Sequence, residues 1–331
     1  MNLLFLGRVW LLYRGTLEKR LGDRHHLTFH ASESDPGVAE QVEDAHVIVT
    51  NALPPALGAA ARAVRLVHAG GAGVNAISME SVRAGVPLCR TLHHGPSMAE
   101  HVLMVMLVLQ RDLLRLDRAL RVGRWHNAAW DREEGLQSTL DGKTVVVLGT
   151  GEIGSQLGIR CRPFGLRTVG VNRSGRPPEA GGFDEVRPWA SLDEVLPLAD
   201  FLVVAVPLTE DTRGAIDSRR LGLMKSEACL IAMSRGPVVE EEALYSALEQ
   251  RRIAGAAIDV WYRYPSSRGA DARPAHRPFE ELDNVIMTPH SSGMTHSTFD
   301  RRIHDIVDNI ERLERGEALN GVVAVGEGRD A

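Results

Sequence analysis

The chain has 331 residues, of which 44% are hydrophobic and 24% are charged, and its formal net charge at pH 7 is −5. This length and composition predict a globular protein of about two domains. The mild acidity gives no basis for binding nucleic acid or an anionic membrane, and the longest apolar run, residues 102–109, is too short to cross a bilayer. Three scattered cysteines without metal-ligand spacing, Cys89, Cys161 and Cys229, favour a reducing cytoplasm and no metal site.

Residues 1 to about 95 alternate short apolar runs with polar, helix-like stretches, which predicts βαβ units and a parallel sheet. The strands expected here are residues 2–6, 27–30, 45–51, 65–69 and 86–90. A glycine-rich loop at 70–74 follows the fourth of these strands. It is either a flexible turn or a loop whose backbone N–H groups hold a small anion.

The pattern Ser97-Met98-Ala99-Glu100 is a capping box, so we predict that Ser97 is the N-cap of a long helix that ends at about Arg121. Its apolar first half should be buried, and its arginine-rich second half should meet solvent or a partner. Trp125 and Trp130 follow in a loop, where they are either interface anchors or ordinary packing residues.

The strand-like run Thr144–Leu148 leads into the pattern G-x-G-x-x-G and then into a helix-like segment, which is the context typical of dinucleotide binding. We predict that Gly149 permits a tight turn and that Gly151 lets the backbone approach a pyrophosphate. Gly154 should let the helix pack close to the strand. The N–H groups at the helix start would face the doubly negative group. The cofactor-binding residues assigned here are Gly149, Gly151, Glu152, Ile153 and Gly154.

Further strands are predicted at 166–171, 200–206, 228–233, 253–260 and 284–288, with a helix at 240–250. The last predicted element is an amphipathic helix from His296 to about Arg315, with its isoleucines on one face.

The strand after the glycine motif ends in Asn172-Arg173-Ser174, where a site selective for NAD normally has an acid that accepts hydrogen bonds from the ribose hydroxyls. A carboxylate would repel a 2′-phosphate, whereas an arginine beside small polar side chains can bind it. We therefore assign these three residues to the cofactor site and predict a preference for NADP(H), with NAD(H) as the alternative.

Polar residues follow three later strands: Arg235, Asp259 and His290. Singly, each has a structural explanation: a helix-capping arginine, a strand-end aspartate and a histidine in a turn. Because the carboxyl ends of parallel strands meet at one edge of a sheet, we expect all three on the side that binds the cofactor. Together they indicate an active site.

These motifs together resemble the family of D-isomer-specific 2-hydroxyacid dehydrogenases. The resemblance covers nearly the whole chain, through residues 73–75, 97–101, 149–154, 205–209 and the three strand ends above. It implies an α/β fold of two Rossmann-like domains with parallel sheets. The doubly wound cofactor domain would comprise residues 97–291, and a flavodoxin-like substrate domain residues 1–96 and 292–331.

The resemblance also implies roles for individual residues. Arg235 would bind the substrate carboxylate and carbonyl through its charged fork, and His290 would exchange a proton with the carbonyl oxygen. The backbone N–H groups of Ala72 and Gly73 would complete the carboxylate cradle. His94 stands where relatives often present asparagine to the substrate.

The cofactor would touch several further positions. Asp259 would lie near the nicotinamide ribose or carboxamide. The remaining cofactor-binding assignments are Val206, Pro207, Met233, Ser234, Arg235, His290, Ser292 and Gly293. Family members usually pair through the cofactor domain, so a homodimer is expected, across which Trp125 or Trp130 would reach.

One departure from the family pattern concerns the acid–base pair. Relatives place a glutamate beside the histidine, and its charge stabilises the imidazolium; here Tyr264 stands at that position. A neutral phenol can hydrogen-bond His290 but supplies no charge, so we expect the pKa of His290 to be lower than it would be beside a glutamate. Another acid, near Glu280 or Glu281, is an alternative source of the missing charge.

The leading hypothesis is NADPH-dependent reduction of a small 2-oxoacid to the D-2-hydroxyacid, and the reverse, by hydride transfer. The second is oxidation of formate, because formate dehydrogenases of the family carry an uncharged glutamine at the position of Tyr264. His94, in place of the expected asparagine, argues against that reaction. The third is a non-catalytic cofactor-sensing protein, against which the intact pair of Arg235 and His290 argues.

Overall fold

The computed structural model describes residues 1–265 and 272–328. The strands are β1 (Asn2–Leu6), β2 (His26–His30), β3 (Val47–Thr50), β4 (Leu66–Ala69), β5 (Pro87–Arg90), β6 (Thr144–Leu148), β7 (Arg167–Asn172), β8 (Glu185–Pro188), β9 (Phe201–Val204), β10 (Cys229–Ala232), β11 (Gly255–Ile258), β12 (Val285–Met287) and β13 (Val322–Val325). The helices are α1 (Arg8–Leu12), α2 (Arg14–Leu21), α3 (Val38–Asp44), α4 (Pro55–Ala60), α5 (Gly95–Gln110), α6 (Leu113–Arg121), α7 (Glu152–Cys161), α8 (Leu192–Val195), α9 (Ser218–Leu221), α10 (Glu241–Glu249) and α11 (His296–Arg315).

The chain divides into two compact units. The first consists of Met1–His93 together with the residues from His296 onward, and the second is His94–Thr295. Each unit contains one sheet covered by helices, so each is described by itself.

The first unit has the strand order β13-β5-β4-β3-β1-β2. Its strands run parallel, except that β13 pairs antiparallel with β5 at the edge. Apart from that edge strand, the order is the flavodoxin-like one. Alternation within β1 shows how both faces are covered: Leu4 belongs to the same apolar cluster as Val42 of α3, and Phe5 belongs to the cluster of Ile306 of α11.

The second unit has the strand order β12-β11-β10-β9-β6-β7-β8, with parallel pairing throughout. This is the doubly wound order, in which ligands bind at the carboxyl edge where the chain reverses direction, here between β6 and β9. β6 is buried along its whole length. Val147 belongs to the same apolar cluster as Val102 of α5, whereas Val146 belongs to the cluster of Leu244 of α10 on the other face.

The α/β fold with parallel sheets is therefore confirmed, and so is each strand that the sequence predicts. The two helices predicted near residues 240–250 and 296–315 are confirmed as α10 and α11. The edge strands β8 and β13 were not predicted, because they are short and partly exposed and lack a run of buried apolar residues. No helix within residues 1–265 and 272–328 is both long and apolar enough to cross a membrane.

The predicted N-cap at Ser97 is wrong. The helix begins at Gly95 and carries Pro96 in its first turn, where the missing N–H of proline costs no hydrogen bond. The Ser97 hydroxyl instead donates to the carbonyl oxygen of Ser292 at 2.6 Å. The Ser97 side chain therefore makes a tertiary hydrogen bond instead of the helix cap that the local sequence pattern predicts.

The helix predicted to continue to Arg121 is two helices. Between α5 and α6 the chain passes through Asp112, whose φ of 45° lies in the left-handed region. Aspartate tolerates that region better than most side chains. No glycine or proline marks the break, so the sequence carries no sign of it.

His68 is a fully buried histidine in β4, an inner strand of the first unit's sheet, and it joins β4 to α11. Its Nδ1 lies 3.0 Å from the carbonyl oxygen of Ala69, and its Nε2 lies 3.0 Å from Nδ2 of Asn309. A carbonyl only accepts and an amide nitrogen only donates, so the ring is neutral with its proton on Nδ1. Burial lowers the pKa of His68 to about 4, although the hydrogen bond to Ala69 and the charge of Asp305 oppose the shift.

We expect His68 to make the protein less stable as the pH falls from 7.5 to 5. In the unfolded chain this histidine binds a proton near its ordinary pKa of 6.5, whereas in the folded chain it stays neutral until the pH approaches 4. The unfolded state therefore binds more protons in this range, and the free energy of unfolding falls by roughly 2 kcal/mol on this account. Urea unfolding at the two pH values measures the loss.

A His68→Gln variant should lack this part of the loss, whereas His26→Gln, at an exposed position, should keep it. An equal loss of stability in wild type and His68→Gln would contradict the assignment.

Candidate active site

The sequence predicts a role for each of the three glycines in the turn after β6. The structure shows the tight turn at Gly149 and the close packing of the helix at Gly154. Gly149 has a φ of 101°, and a Cβ there would lie 2.8 Å from the carbonyl oxygen of Ala205. A Cβ on Gly154 would overlap the carbonyl oxygen of Gly149, so α7 packs this close to β6 only because position 154 is glycine. Among the described residues, no atom lies within 4 Å of the position that a Cβ on Gly151 would occupy. The backbone at Gly151 is therefore open to an approaching ligand.

The residues around this turn fit a dinucleotide. α7 begins at Glu152, directly after the turn, so its first N–H groups and the positive end of its dipole are suited to an anion. The hydroxyl of Ser234, which follows β10 at the same edge of the sheet, is buried and has no hydrogen-bond partner in the part of the chain that the structure describes. A bound polar ligand would satisfy such a group.

The loop after β7 is organised by Asn172. Its Oδ1 accepts hydrogen bonds from the backbone N–H groups of Ser174 (3.1 Å) and Gly175 (2.7 Å), and its Nδ2 donates to the hydroxyl of Thr150 (2.8 Å). Asn172 therefore shapes the loop, and its assignment to the cofactor site stays a prediction. Arg173 is exposed on this loop, and the stretch 172–176 contains no carboxylate.

Arg235 follows β10 in an extended conformation, and its side chain is exposed. One guanidinium nitrogen, Nη1, donates to the carbonyl oxygen of Ser234 at 2.8 Å. The next residue is glycine because a Cβ on Gly236 would lie 2.5 Å from the carbonyl oxygen of Trp261. The turn that carries Arg235 therefore packs directly against the chain that leaves β11.

Asp259, directly after β11, is buried and holds the turn that carries His290. Its carboxylate accepts hydrogen bonds from the hydroxyls of Thr288 (2.6 Å) and Ser292 (2.5 Å), and from the N–H groups of Ser291 (2.9 Å) and Ser292 (3.2 Å). Burial by itself would raise the pKa of Asp259, but these hydrogen bonds outweigh it and lower the pKa. The group is an ionised clamp at the base of the turn.

His290 stands at the top of that turn with a φ of 55°, in the left-handed region. Its Nδ1 lies 3.1 Å from the phenol oxygen of Tyr264, which also accepts a hydrogen bond from the N–H of Trp261 at 3.2 Å. The arrangement that uses each group once has the phenol donating to Nδ1 of a neutral ring. The remaining ring proton is then on Nε2. The structure therefore brings together the two residues that the sequence predicts as partners.

The pKa of His290 is lowered, chiefly by burial and additionally by the charge of Arg235, while Asp259 opposes the shift. This is the direction expected from the sequence, although its first cause is desolvation and not the loss of a glutamate. Glu280 lies 3.7 Å from a guanidinium nitrogen of Arg273, and among the described residues the carboxylate that raises the pKa of His290 is Asp259 rather than Glu280 or Glu281. Within the described residues, the imidazole is predominantly neutral at pH 7.

The start of α5 joins the glycine turn to the histidine turn. The N–H of Gly95 donates to Oε1 of Glu152 at 3.2 Å, and Oε2 of that carboxylate lies 3.8 Å from Nδ1 of His94. A Cβ on Gly293 would lie 3.5 Å from the Cβ of His94. His94 thus lies beside both turns of the second unit.

The other predicted cofactor-binding residues lie at the ends of neighbouring strands of this sheet. Val206 is buried just after β9, and the carbonyl oxygen of Pro207 accepts a hydrogen bond from the hydroxyl of Thr212. Ile153 and Met233 belong to one apolar cluster under the sheet. These assignments stay predictions.

Ala72 and Gly73, predicted to bind the substrate carboxylate, belong to the first unit, in the loop that follows β4. Their backbone role also stays a prediction.

Trp125 and Trp130 lie in the segment between α6 and β6 and are strongly exposed, at 64% and 74% of their surfaces. Their ring centres are 6.0 Å apart. The segment is fixed to α6 by Arg115, which donates two hydrogen bonds to the carboxylate of Glu134. A paired aromatic surface on an anchored segment is suited to a partner protein.

Sequence reasoning missed Trp261 and Thr288. The indole N–H of Trp261 donates to the carbonyl oxygen of Thr288 at 2.8 Å, and its backbone N–H donates to Tyr264. These contacts join the ends of β11 and β12 beneath His290. The sequence indicates that both residues follow strands, but only the fold shows that their atoms are in contact.

Comparison with known proteins gives a consistent result. Residues 103–292 match the model of the family described as D-isomer specific 2-hydroxyacid dehydrogenase, NAD binding domain. Formate dehydrogenase 2, mitochondrial, from Oryza sativa subsp. japonica is 30% identical, over 95% of this chain and 83% of its own length. Glyoxylate reductase from Korarchaeum cryptofilum is 28% identical, over 90% of this chain and 89% of its own length.

A solved structure with the same fold is that of a D-isomer specific 2-hydroxyacid dehydrogenase from Xanthobacter autotrophicus Py2 in complex with NADPH and MES. It is 28% identical, covers 98% of each chain, and superposes with a TM-score of 0.77.

We expect Asp259→Asn to destabilise the protein by about 2–4 kcal/mol, because the amide NH₂ would face donors that now bind a carboxylate. Thermal unfolding measures the change. Asp283→Asn is the matched control, since Asp283 is exposed and pairs with Arg251 at the surface. Equal melting temperatures for the two variants would contradict the clamp.

Proposed function

Because the chain belongs to the family of D-isomer-specific 2-hydroxyacid dehydrogenases, we propose that it reduces a small 2-oxoacid to the D-2-hydroxyacid with NADPH, and catalyses the reverse. The observation that carries this proposal is the placement of the glycine turn, Arg235 and His290 at the carboxyl edge of one parallel sheet. The charge of Arg235 contributes to the lowered pKa of His290, so the guanidinium and the imidazole are near each other. That pair suits a substrate with a carboxylate beside a carbonyl.

The chain's own residues would bind and protonate the substrate. Arg235 would hold the carboxylate through its planar fork and orient the adjacent carbonyl. His290 in its protonated form would donate the Nε2 proton to the carbonyl oxygen, which leaves a neutral ring with its proton on Nδ1. When bound, the nicotinamide supplies the hydride.

Tyr264 can serve His290 in both protonation states. A phenol donates to the neutral ring through O–H and accepts from Nδ1–H of the imidazolium, whereas a carboxylate only accepts. The phenol brings no charge, however, so it does not favour the imidazolium as a glutamate would. Reduction should therefore be faster at lower pH, where more of His290 carries a proton.

The preference for NADP(H) is supported by Arg173, which is exposed on a loop without carboxylates, while Asn172 is committed to shaping that loop. A guanidinium there would pair with a 2′-phosphate. The Xanthobacter autotrophicus relative was solved with NADPH, which is in line with this proposal.

The proposed assembly is a homodimer formed through the unit that binds the cofactor. Its support is the exposed aromatic pair of Trp125 and Trp130 on an anchored segment of that unit. In this proposal residues 97–291 form the cofactor domain, and residues 1–96 with 292–331 form the substrate domain.

Formate oxidation is the second candidate, and Tyr264 is the observation that favours it. Hydride abstraction from formate releases carbon dioxide and needs no proton for a substrate oxygen, so a neutral imidazole would suffice. The rice relative, named a formate dehydrogenase, makes this candidate concrete.

The direct test is cofactor turnover with a panel of 2-oxoacids, together with formate in the oxidative direction. We expect loss of NADPH absorbance with a 2-oxoacid, slower turnover with NADH, and a smaller NADPH preference in Arg173→Gln. Arg235→Ala should lower kcat/KM at least about 100-fold, because the substrate carboxylate loses a charge-assisted pair. Activity on formate with none on any 2-oxoacid would select the second candidate.

We expect Tyr264→Glu to move the pH dependence of reduction. The acidic form of His290 is required, and its pKa is lowered, so kcat/KM for reduction should fall as the pH rises through a value below 6.5. A carboxylate at position 264 raises that pKa, so the fall should move to higher pH by about one unit or more. Tyr264→Phe is the control, which removes the hydrogen bond without adding charge. A profile unchanged in Tyr264→Glu would contradict the role assigned to His290.

A further inference from the structure

The imidazole of His290 has an uncharged hydrogen-bond partner. Its Nδ1 lies 3.1 Å from the phenol oxygen of Tyr264, which also accepts a hydrogen bond from the backbone N–H of Trp261 at 3.2 Å. A phenol either donates to Nδ1 or accepts from it, so Tyr264 is compatible with both neutral tautomers of the ring. The ring can therefore present Nε2 either as a hydrogen-bond donor or as an acceptor.

The surroundings of His290 favour the neutral ring. Burial lowers its pKa most, the charge of Asp259 opposes the shift, and the charge of Arg235 lowers the pKa further. The carboxylate oxygens of Asp259 are themselves occupied by four hydrogen bonds from residues 288–292. Tyr264 adds no charge. All of these residues belong to the second unit of the protein.

A neutral imidazole is better suited to a protonated imine than to a carbonyl. Hydride addition to a carbonyl leaves an alkoxide, which needs a proton. Hydride addition to a protonated imine needs none: a C–H bond forms at C2, and the electron pair of the C=N double bond becomes the lone pair of an amine. An imidazolium beside the imine nitrogen would repel it, because both groups are cations and both can only donate hydrogen bonds. A neutral ring can accept the N–H of the imine at Nε2.

We propose that this site has a second activity, the reduction of 2-imino acids to 2-amino acids, in which Nε2 of His290 accepts a hydrogen bond from the protonated imine nitrogen. The proposal rests on the proposed function, in which Arg235 binds the carboxylate and the nicotinamide supplies the hydride. The co-reactant is ammonia or a small primary amine. It condenses with the 2-oxoacid and releases water before the reduction, which yields the 2-amino acid and the oxidised nicotinamide.

The test is a competition within one reaction mixture. Each 2-oxoacid of a panel that includes pyruvate and glyoxylate is equilibrated with excess methylamine, and NADPH and the protein are then added. The condensation exchanges no proton while methylamine stays protonated, as lysine does below its pKa of about 10.4, so the iminium concentration is constant between pH 6.5 and pH 8. Mass spectrometry measures the N-methylamino acid and the hydroxyacid that form, with a mixture lacking the protein as the blank.

We expect the ratio of N-methylamino acid to hydroxyacid to rise about 10-fold or more between pH 6.5 and pH 8. Reduction of the 2-oxoacid needs the protonated ring of His290, whose fraction falls about 10-fold per pH unit above its pKa. Reduction of the imine needs the neutral ring, whose fraction does not fall. A ratio that stays constant or decreases with pH would overturn the role of the neutral imidazole.

Two variants of Tyr264 form a matched pair, since glutamate and glutamine have nearly the same shape and differ in charge. Tyr264 is half-exposed, so neither change creates a buried cavity. In Tyr264→Glu the carboxylate favours the imidazolium, and the product ratio at pH 7.5 should fall about 10-fold below that of the wild type. Tyr264→Gln adds no charge and should keep the ratio. Equal ratios in the two variants would overturn the inference.

The products also separate this inference from the proposed function. Hydroxyacid without any N-methylamino acid overturns imine reduction alone. N-methylamino acid without hydroxyacid supports imine reduction and overturns the proposed reduction of 2-oxoacids. Neither product from any 2-oxoacid of the panel overturns both.

Discussion

The candidate active site depends on one buried carboxylate. Asp259 leaves β11 and accepts four hydrogen bonds from residues 288–292, which leave the neighbouring strand β12. The turn that they hold includes His290 in a left-handed conformation, which costs a residue with a side chain about 1 kcal/mol or more. The four hydrogen bonds offset that cost, so the parallel pairing of β11 and β12 determines where the imidazole stands. Loss of the hydrogen bonds to Asp259 would displace His290 even though Asp259 itself need not contact the substrate.

The chemistry available at this site is set by what stands beside His290. A carboxylate partner would favour the imidazolium, whereas the phenol of Tyr264 accepts or donates a hydrogen bond without charge. Desolvation and Arg235 also lower the pKa of His290. The protein therefore has the arginine and histidine expected of a 2-oxoacid reductase, but a smaller fraction of His290 is protonated at neutral pH. Formate oxidation needs no proton for a substrate oxygen, so it is the second candidate beside 2-oxoacid reduction. The protonation state of His290 distinguishes the two reactions.

Much of this arrangement could be predicted because its signals are local. Runs such as Thr144–Leu148 are recognisable as buried strands, and the conformations of Gly149 and Gly154 follow from their place between strand and helix. What could not be predicted depends on contacts distant in the sequence. Ser97 reads as a helix cap until Ser292 is seen to accept its hydroxyl, and Asp112 breaks a helix without glycine or proline. The edge strands β8 and β13 are recognisable only from their neighbours.

The most direct test of the account is an NMR titration of His290 in the protein without substrate, with the ring signals assigned through a His290→Gln variant. We expect a pKa below 6.5 and, above it, a neutral ring with its proton on Nε2, because the phenol of Tyr264 occupies Nδ1. A pKa above 7, or a neutral ring with its proton on Nδ1, would contradict the central claim that Tyr264 leaves this imidazole uncharged at neutral pH.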